Sequence, residues 1–400
     1  MSYSFAGLTS GGWVTYSITV VIIMIIYNAF LHPLSKVPGP FFARVSGLPS
    51  WYSAMSGDRH IWLWQLFQIY GPKVRITPNT VVFCDPVAYR DIYSNKANGP
   101  KGPFYEAWQK DEYDVNTFST REKKVHACRR KMLNQSFTEQ SLLASQPFMV
   151  KHVDRWIELL LLGTQDGEWS EPMNFADLSD TLVFDIMGDL CFGTSFNIKE
   201  PGENPFRVIP HSVVQYMQFF YPLKPQLTGY TYLRACIDET MRLSPSGPSE
   251  LPRQVLKGGT IINGDFYPEG TIVGASGWAT GHNEGVYGDA EVFRPERWIP
   301  DEGTGVTQEE VNILRANFHP FAKGPGYCPG KNIAILELSI TIARMLHRLE
   351  VRKPPTGENS LGEGNPNGGW GKRNKNIFQI QDSYISVRNG PMVQFKKRRV

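Results

Sequence analysis

Charge of one sign, paired cysteines and the common catalytic motifs are all scarce in this 400-residue sequence. The formal net charge is only +3, which is too small to indicate a nucleic-acid partner. The five cysteines are scattered without paired spacing, which favours a reducing compartment over a disulfide framework. His-Glu-x-x-His, Cys-x-x-Cys, Gly-x-Ser-x-Gly and a dinucleotide-binding glycine loop are all absent, so those metal, redox, nucleophile and dinucleotide chemistries have little support.

Charged residues are also missing from the first 35 positions. The apolar run over residues 13–31 is long enough for a helix to cross a hydrocarbon core of roughly 30 Å. We therefore predict a membrane anchor over residues 1–31. A cleaved signal peptide is the alternative, but the run is long and lacks a basic start and a small-x-small cleavage site. Lys36 and Arg44 follow the run, which places the remaining chain on the cytoplasmic side.

Residues 32–40, of sequence HPLSKVPGP, predict a stiff proline-rich hinge, and residues 41–400 predict one large domain with a sizeable core. Apolar periodicity and turn residues predict mostly helices with small β-sheets, an α+β class. The predicted helices include residues 86–93, 120–136, 154–162, 177–191 and 213–220. The predicted strand pairs are 73–77 with 80–83, 258–262 with 271–273, and 384–387 with 392–395.

One cysteine, Cys328, stands in a glycine-rich loop directly before an apolar helical pattern. The loop, residues 321–330, reads FAKGPGYCPG. A helix N-terminus stabilises a thiolate through its unpaired N–H groups and dipole, and the glycines let the backbone lie close to a flat ligand. These features outline a metal-thiolate site. From the residues alone, the alternative is a buried, inert cysteine in a turn.

The spacing of this loop resembles the haem-ligand loop of the cytochromes P450, in which Phe-x-x-Gly is followed after three residues by Cys-x-Gly. The resemblance extends from about residue 30 to the end of the chain. It implies a P450-like fold that binds haem b, with Cys328 as the iron ligand. It also assigns Phe321, Gly324 and Gly330 to the loop that holds the cofactor.

Further residues match P450 motifs for the haem propionates. His126 and Arg130 fit the His-x-x-x-Arg of many fungal members, whose Arg binds a propionate. A guanidinium can hold a carboxylate through two parallel hydrogen bonds. Arg253, at the end of the segment PSELPR, resembles a second propionate ligand. The other basic residues of the segment 120–136 fit a solvated helix face, or in part a docking face for an acidic electron donor.

A structural network is also predicted. Glu239 and Arg242 lie three residues apart, which puts them on one helix face where they can pair. By themselves they could be an ordinary surface pair. In P450s, however, a Glu-x-x-Arg joins the Arg of a later Pro-Glu-Arg segment, and here that residue is Arg297.

The sequence departs from the family in two places. Gly326 occupies the position of an Arg or His in the haem loop, so one propionate partner is missing there. Because Arg130 and Arg253 are left to hold the propionates, we expect Gly326→Arg to slow haem loss. Nothing in the sequence matches the long oxygen-binding helix with its acid-threonine pair. On the order of a hundred residues are missing near residues 221–231, which predicts an internally truncated fold. Either the protein is genuinely shortened or its gene model lacks exon sequence.

The resemblance predicts a membrane-anchored haem-thiolate monooxygenase that oxidises an apolar small molecule in fungal secondary metabolism. Its electron donor would be NADPH-cytochrome P450 reductase, and its location the endoplasmic reticulum membrane, with one span and a cytoplasmic catalytic domain. The alternative is a haem-binding or degenerate P450 homologue without monooxygenase activity. No nucleic-acid partner is expected.

Overall fold

The computed structural model describes residues 10–108, 116–207, 231–355 and 360–398. Helices are its commonest regular elements, and the α-helices are α1 (Ser10–Ile26), α2 (Phe41–Val45), α3 (Leu48–Met55), α4 (Arg59–Tyr70), α5 (Pro86–Tyr93), α6 (Lys123–Ser136), α7 (Glu139–Leu160), α8 (Phe175–Phe192), α9 (Thr231–Leu243), α10 (Gly277–Gly281), α11 (Glu284–Tyr287), α12 (Gln308–Asn317) and α13 (Lys331–Arg348). The strands are β1 (Lys73–Thr77), β2 (Thr80–Phe83), β3 (Met173–Asn174), β4 (Arg253–Gln254), β5 (Thr260–Ile262), β6 (Asp265–Tyr267), β7 (Ile272–Ala275), β8 (Leu349–Arg352), β9 (Gln381–Asp382), β10 (Ser386–Val387) and β11 (Met392–Lys397).

This helix-rich mixture with small sheets confirms the predicted α+β class. Two predictions lie outside the described residues. One is the helix over residues 213–220, and the other is most of the junction near residues 221–231.

The N-terminal segment differs from the predicted transmembrane helix. Helix α1 has 17 residues, and a π-helical turn, Tyr27–Leu31, follows it. The backbone oxygens of Asn28 and Ala29 in that turn accept hydrogen bonds from Arg75 and Arg44. The end of the predicted span is thus bonded to the globular part of the protein. Within the described ranges, no helix combines the length and apolar character that a membrane crossing requires. The predicted transmembrane helix is therefore not supported.

The predicted strand pair at residues 73–83 is confirmed, and it belongs to a four-stranded sheet of order β1-β2-β7-β4. Both predicted hairpins were wrong in their partners. Strand β5 pairs with β6 across the turn at Asn263 and Gly264, whereas β7 runs parallel to β2. Strand β11 pairs with β8 and β3, and β10 pairs with β9. Parallel or distant partners leave no local turn signal in the sequence.

One large core cluster lies where α7, α8 and α13 pack against β11. Trp156, Ile186, Leu349 and Phe395 are almost completely buried in it. Helix α13 also carries Ile335, which packs against Phe321 and Cys328 in a smaller cluster at its start. The core that holds α13 therefore positions the cysteine loop as well.

Candidate functional site

One cavity of about 220 Å³ brings together several of the predicted site residues. It lies between the cysteine loop, α6 and residues 245–253. The predicted residues that line it are His126, Arg130, Arg242, Arg253, Phe321 and Cys328. Positions separated by up to 202 residues in the chain thus meet at one site.

The cysteine loop is compact, and its thiol is nearly inaccessible. Cys328 is 6% exposed, and its backbone N–H donates to the carbonyl oxygen of Phe321 at 2.9 Å. Helix α13 begins at Lys331 with Gly330 as its N-cap, so Cys328 precedes the cap by two residues. The sequence placed the cysteine at the helix N-terminus itself. The structure places it just before that end, with its side chain at the cavity.

The two predicted loop glycines shape the loop without lining the cavity. Gly324 has φ +67°, and a Cβ at this position would overlap the carbonyl oxygen of Tyr93. Only glycine combines this backbone conformation with so close an approach. Gly330 has an ordinary negative φ and serves as the helix cap. Both residues therefore act on the conformation of the loop around Cys328.

Arg130 projects from α6 into the cavity wall with unused hydrogen-bonding capacity. It is 9% exposed, and its guanidinium lies 4.0 Å from the centre of the Tyr327 ring. Within the described ranges, its Nε and Nη2 atoms have no hydrogen-bond partner. A buried guanidinium with open donors is strongly disfavoured unless an acceptor, best an anion, is bound.

Arg253 faces the same space from β4. Its Nη1 donates to the backbone oxygen of Pro252 at 3.1 Å, and its guanidinium lies 4.9 Å from the centre of the Tyr93 ring. His126 lies one turn before Arg130 on α6. Burial, together with the charges of Lys101, Arg130 and Arg253, lowers the pKa of His126 to about 4. His126 is therefore neutral at pH 7, and the arginines carry the positive charge.

Sequence reasoning missed Lys101, which also lines the cavity. It lies in the loop before a 3-10 turn, Pro103–Trp108, in a Gly/Pro-rich stretch that predicts only a loop. Burial, with the charges of Arg253 and Arg130, lowers the pKa of Lys101 to about 7. The sequence carries no local signal for this residue, because its partners come from distant segments.

The lining residues fit the cofactor that the resemblance implies. No Asp or Glu occurs among the described residues of the cavity wall, while Lys101, Arg130 and Arg253 all face it. The cations therefore require an anionic ligand. The carboxylates of haem meet this requirement, and the Cys328 thiol is a suitable ligand for its iron.

Behind the cavity, the predicted Glu239, Arg242 and Arg297 do lie in contact. Arg242 forms two hydrogen bonds with the Glu239 carboxylate, at 2.8 and 2.9 Å, and Arg297 forms a third at 3.1 Å. Trp298 Nε1 adds another at 2.9 Å. Burial raises the pKa of Glu239, but the bonds to Arg242, the Arg294 N–H and Arg297 outweigh it, so the pKa is lowered overall. The carboxylate is thus held ionised.

Comparison with known proteins is consistent with this geometry. The cytochrome P450 family model matches residues 222–377, which include Arg253, Glu239 and Cys328. Cytochrome P450 monooxygenase AKT7 of Alternaria alternata is 25% identical, over 94% of this chain and 95% of the relative. Cytochrome P450 monooxygenase fscF of Fusarium equiseti is 26% identical, over 93% of each chain. Cytochrome P450 monooxygenase apf7 of Gibberella fujikuroi is 26% identical, over 96% and 98%.

The alignments also show how much this chain lacks. The alignment with AKT7 has 496 positions, and it contains 94% of the 400 residues of this chain, or about 376. At about 120 positions the relative therefore has residues where this chain has none. The corresponding numbers are about 137 for fscF and about 145 for apf7. Apart from these unmatched positions, the relatives align with nearly the whole sequence, and the comparisons support a fungal member of the cytochrome P450 family.

Proposed function

We propose that this chain binds haem b through Cys328 and acts as a monooxygenase on an apolar small molecule in fungal secondary metabolism. One observation carries the proposal. The buried Cys328 shares a cavity with Arg130, whose donors are open, and no described lining residue is a carboxylate. Its fungal relatives are named monooxygenases.

The protein's own residues divide the work of binding. Arg130 and Arg253 hold the carboxylates of the cofactor, and Cys328 holds its iron. When bound, haem with a thiolate ligand supplies the redox chemistry for inserting one oxygen atom of O₂ into a substrate. The network of Glu239, Arg242 and Arg297 joins α9 to the 3-10 turn Pro295–Trp298.

The remaining wall suits an apolar substrate. Phe118, Leu251, Ala275 and Ile385 contribute apolar surface to the cavity. Apolar walls exclude water and bind a ligand by removing its apolar surface from solvent. The chemistry of the wall thus supports an apolar substrate class.

Electrons must come from outside the chain, and we propose NADPH-cytochrome P450 reductase as their source. Lys123, Lys124, Arg129 and Lys131 are exposed on α6, the helix that carries Arg130. A basic face of this kind steers an acidic partner to the protein. The location at the endoplasmic reticulum membrane stays a prediction.

A second candidate function is haem binding without efficient oxidation. The observation that favours it is the absence of about 120 to 145 aligned positions relative to the monooxygenases. The acid and hydroxyl that relay protons in the family have no counterpart that the sequence identifies. Binding and oxidation are therefore separate questions for this chain.

Replacement of Cys328 tests the proposed ligand. We expect Cys328→Ala to abolish the red-shifted absorption band of the reduced carbon monoxide complex. Cys84→Ala is the matched control, because Cys84 is also buried and burial raises its pKa to about 12, so it remains a thiol. The control should keep the band. A band that survives in Cys328→Ala, with the chain folded by circular dichroism, would contradict the assignment.

A further inference from the structure

Lys101 is held beside Arg253 by backbone pairing. The two residues form an isolated antiparallel bridge. Gly102 N–H donates to the Pro252 oxygen, and Gln254 N–H donates to the Pro100 oxygen, both at 3.0 Å. The loop that carries Lys101 is thus attached to β4, and the side chains of Lys101 and Arg253 enter the same cavity wall.

The ammonium group of Lys101 has a donor left for a ligand. Its Nζ donates to the backbone oxygens of Thr117 and Phe118, at 2.7 and 2.6 Å, and lies 5.4 Å from the centre of the Tyr105 ring. An ammonium group has three N–H donors, so one remains after these two bonds. The described wall contains no carboxylate that could accept it.

Gly326, in the cysteine loop, lies next to Arg253, one of the cations that face the cavity. A Cβ built on Gly326 would lie 3.0 Å from Nη2 of Arg253. A side chain at residue 326 would therefore enter the same group of cations that Lys101 occupies. Residue 326 itself carries no charge, whereas Lys101, from a different segment, lines the same cavity.

We propose that Lys101 binds a carboxylate of haem and supplies the positive charge that is absent at Gly326. The inference rests on the proposed haem binding. Lys101 would then act with Arg130 and Arg253, so that three cations hold two carboxylates. The low pKa of Lys101 without a ligand fits this role, because a bound anion favours the protonated amine.

Haem transfer from the full-length, haem-loaded chain to an excess of apomyoglobin measures the role directly. Lys101→Gln keeps a donor for the two backbone oxygens but removes the charge, and we expect haem loss to become about tenfold faster. Lys101→Arg keeps the charge and should stay within about twofold of the parent chain. Arg130→Gln serves as the positive control, and Lys96→Gln, at an exposed lysine of the same loop, as the negative control.

A charge at residue 326 distinguishes an electrostatic role from a structural one. In the Lys101→Gln background, we expect Gly326→Arg to restore slow haem loss to within about threefold of the parent. In the parent chain the same change should have little effect, because Lys101 already supplies the charge and Arg253 lies next to the new side chain. The expectation from sequence, that Gly326→Arg alone slows haem loss, stays a prediction that the same measurement in the parent chain tests.

The outcomes separate this inference from the proposed function. If the parent chain forms no haem complex, the proposed function fails. If it does, and Lys101→Gln loses haem at the parental rate while Arg130→Gln loses it faster, the inference is overturned. Faster loss that Gly326→Arg does not reverse would assign Lys101 to holding residues 117–118, which also overturns it.

Acetylation of the unmodified chain provides a measurement that does not depend on a variant folding. Mass spectrometry after treatment with acetic anhydride should show Lys101 protected in the haem-loaded chain relative to the haem-free chain. Lys96 should be labelled equally in both. Equal labelling of Lys101 in the two states would contradict its contact with the cofactor.

Discussion

Gly324 and Gly326 lie two residues apart in the loop before Cys328, yet only Gly324 needs to be glycine. Its backbone has a positive φ, and the Tyr93 carbonyl occupies the space of a Cβ. At Gly326, a Cβ would meet only the flexible end of Arg253. The two positions therefore form a natural pair of test and control.

We expect Gly324→Ala to lower the free energy of unfolding by about 2 kcal/mol or more, because both strain and overlap must be relieved. The same change should weaken haem retention, since the loop that positions Cys328 is distorted. Gly326→Ala should change the free energy of unfolding by less than about 1 kcal/mol. Urea unfolding of the three chains measures the difference. Equal losses for both variants would show that backbone conformation at Gly324 is not the controlling feature.

At the scale of elements, a single carboxylate connects parts of the chain that are far apart in sequence. Glu239 on α9 bonds to Arg242 on the same helix and to Arg297 in the 3-10 turn Pro295–Trp298. Arg242 in turn donates to the Gly281 oxygen at 2.6 Å, at the end of α10. Removing the carboxylate would leave the buried Arg242 guanidinium without its counter-ion, and Arg297 with Asp289 as its remaining one.

We therefore expect Glu239→Gln to lower the free energy of unfolding by about 3–5 kcal/mol. Glu158→Gln is the control, because Glu158 forms an exposed i,i+3 pair with Arg155, and its loss should cost only about 0–1 kcal/mol. Urea midpoints at pH 7 measure both changes. A small effect at Glu239 would mean that the arginines find other acceptors.

The sign of the pH dependence follows from the lowered pKa of Glu239. A carboxylate whose folded pKa lies below its unfolded value stabilises the fold above the unfolded pKa, which is 4.5. That contribution is lost as the pH falls through the lower, folded value. The difference between the parent chain and Glu239→Gln should therefore be full at pH 7 and shrink below about pH 4.5.

For the whole molecule, the missing aligned positions limit what the chain can do. The sequence has no match to the long oxygen-binding helix, which in the cytochromes P450 covers the distal face of the cofactor and presents the proton-relay pair. Without that helix, we expect water to reach the site and protons to be delivered without control. We expect the 400-residue chain with a reductase to consume reducing equivalents with little product.

We predict a longer transcript, with the extra codons between those for Phe220 and Leu233, whose product is the efficiently coupled enzyme. Sequencing of cDNA across the codons for residues 221–230 tests its existence. Both forms are expressed with a reductase, and the product formed per NADPH oxidised is compared. The Cys328→Ala variant gives the blank value to subtract. Efficient coupling by the short form would contradict this prediction and would require a relay from other residues.

Local patterns in the sequence determined several features that the structure shows. Residues 73–83 form two strands around a Pro-Asn turn, and α5 begins after Asp85, whose side chain accepts hydrogen bonds from Val87 and Ala88 N–H groups. Gly193 ends α8 in the left-handed conformation, as expected for a helix C-cap. Each of these depends on neighbouring residues alone, which is why a single sequence suffices to predict them.

The tertiary structure decided what depends on distant segments. The parallel pairing of β7 with β2 and the bonding of the Asn28 oxygen to Arg75 join parts of the chain that no local pattern connects. The same holds for Lys101, whose place beside Arg253 comes from a bridge across about 150 residues. The sequence by itself determined the cysteine loop and the residue types for its ligand. Only the packing of remote segments decided which cations surround that ligand, because burial and charge at one atom depend on every segment that meets there.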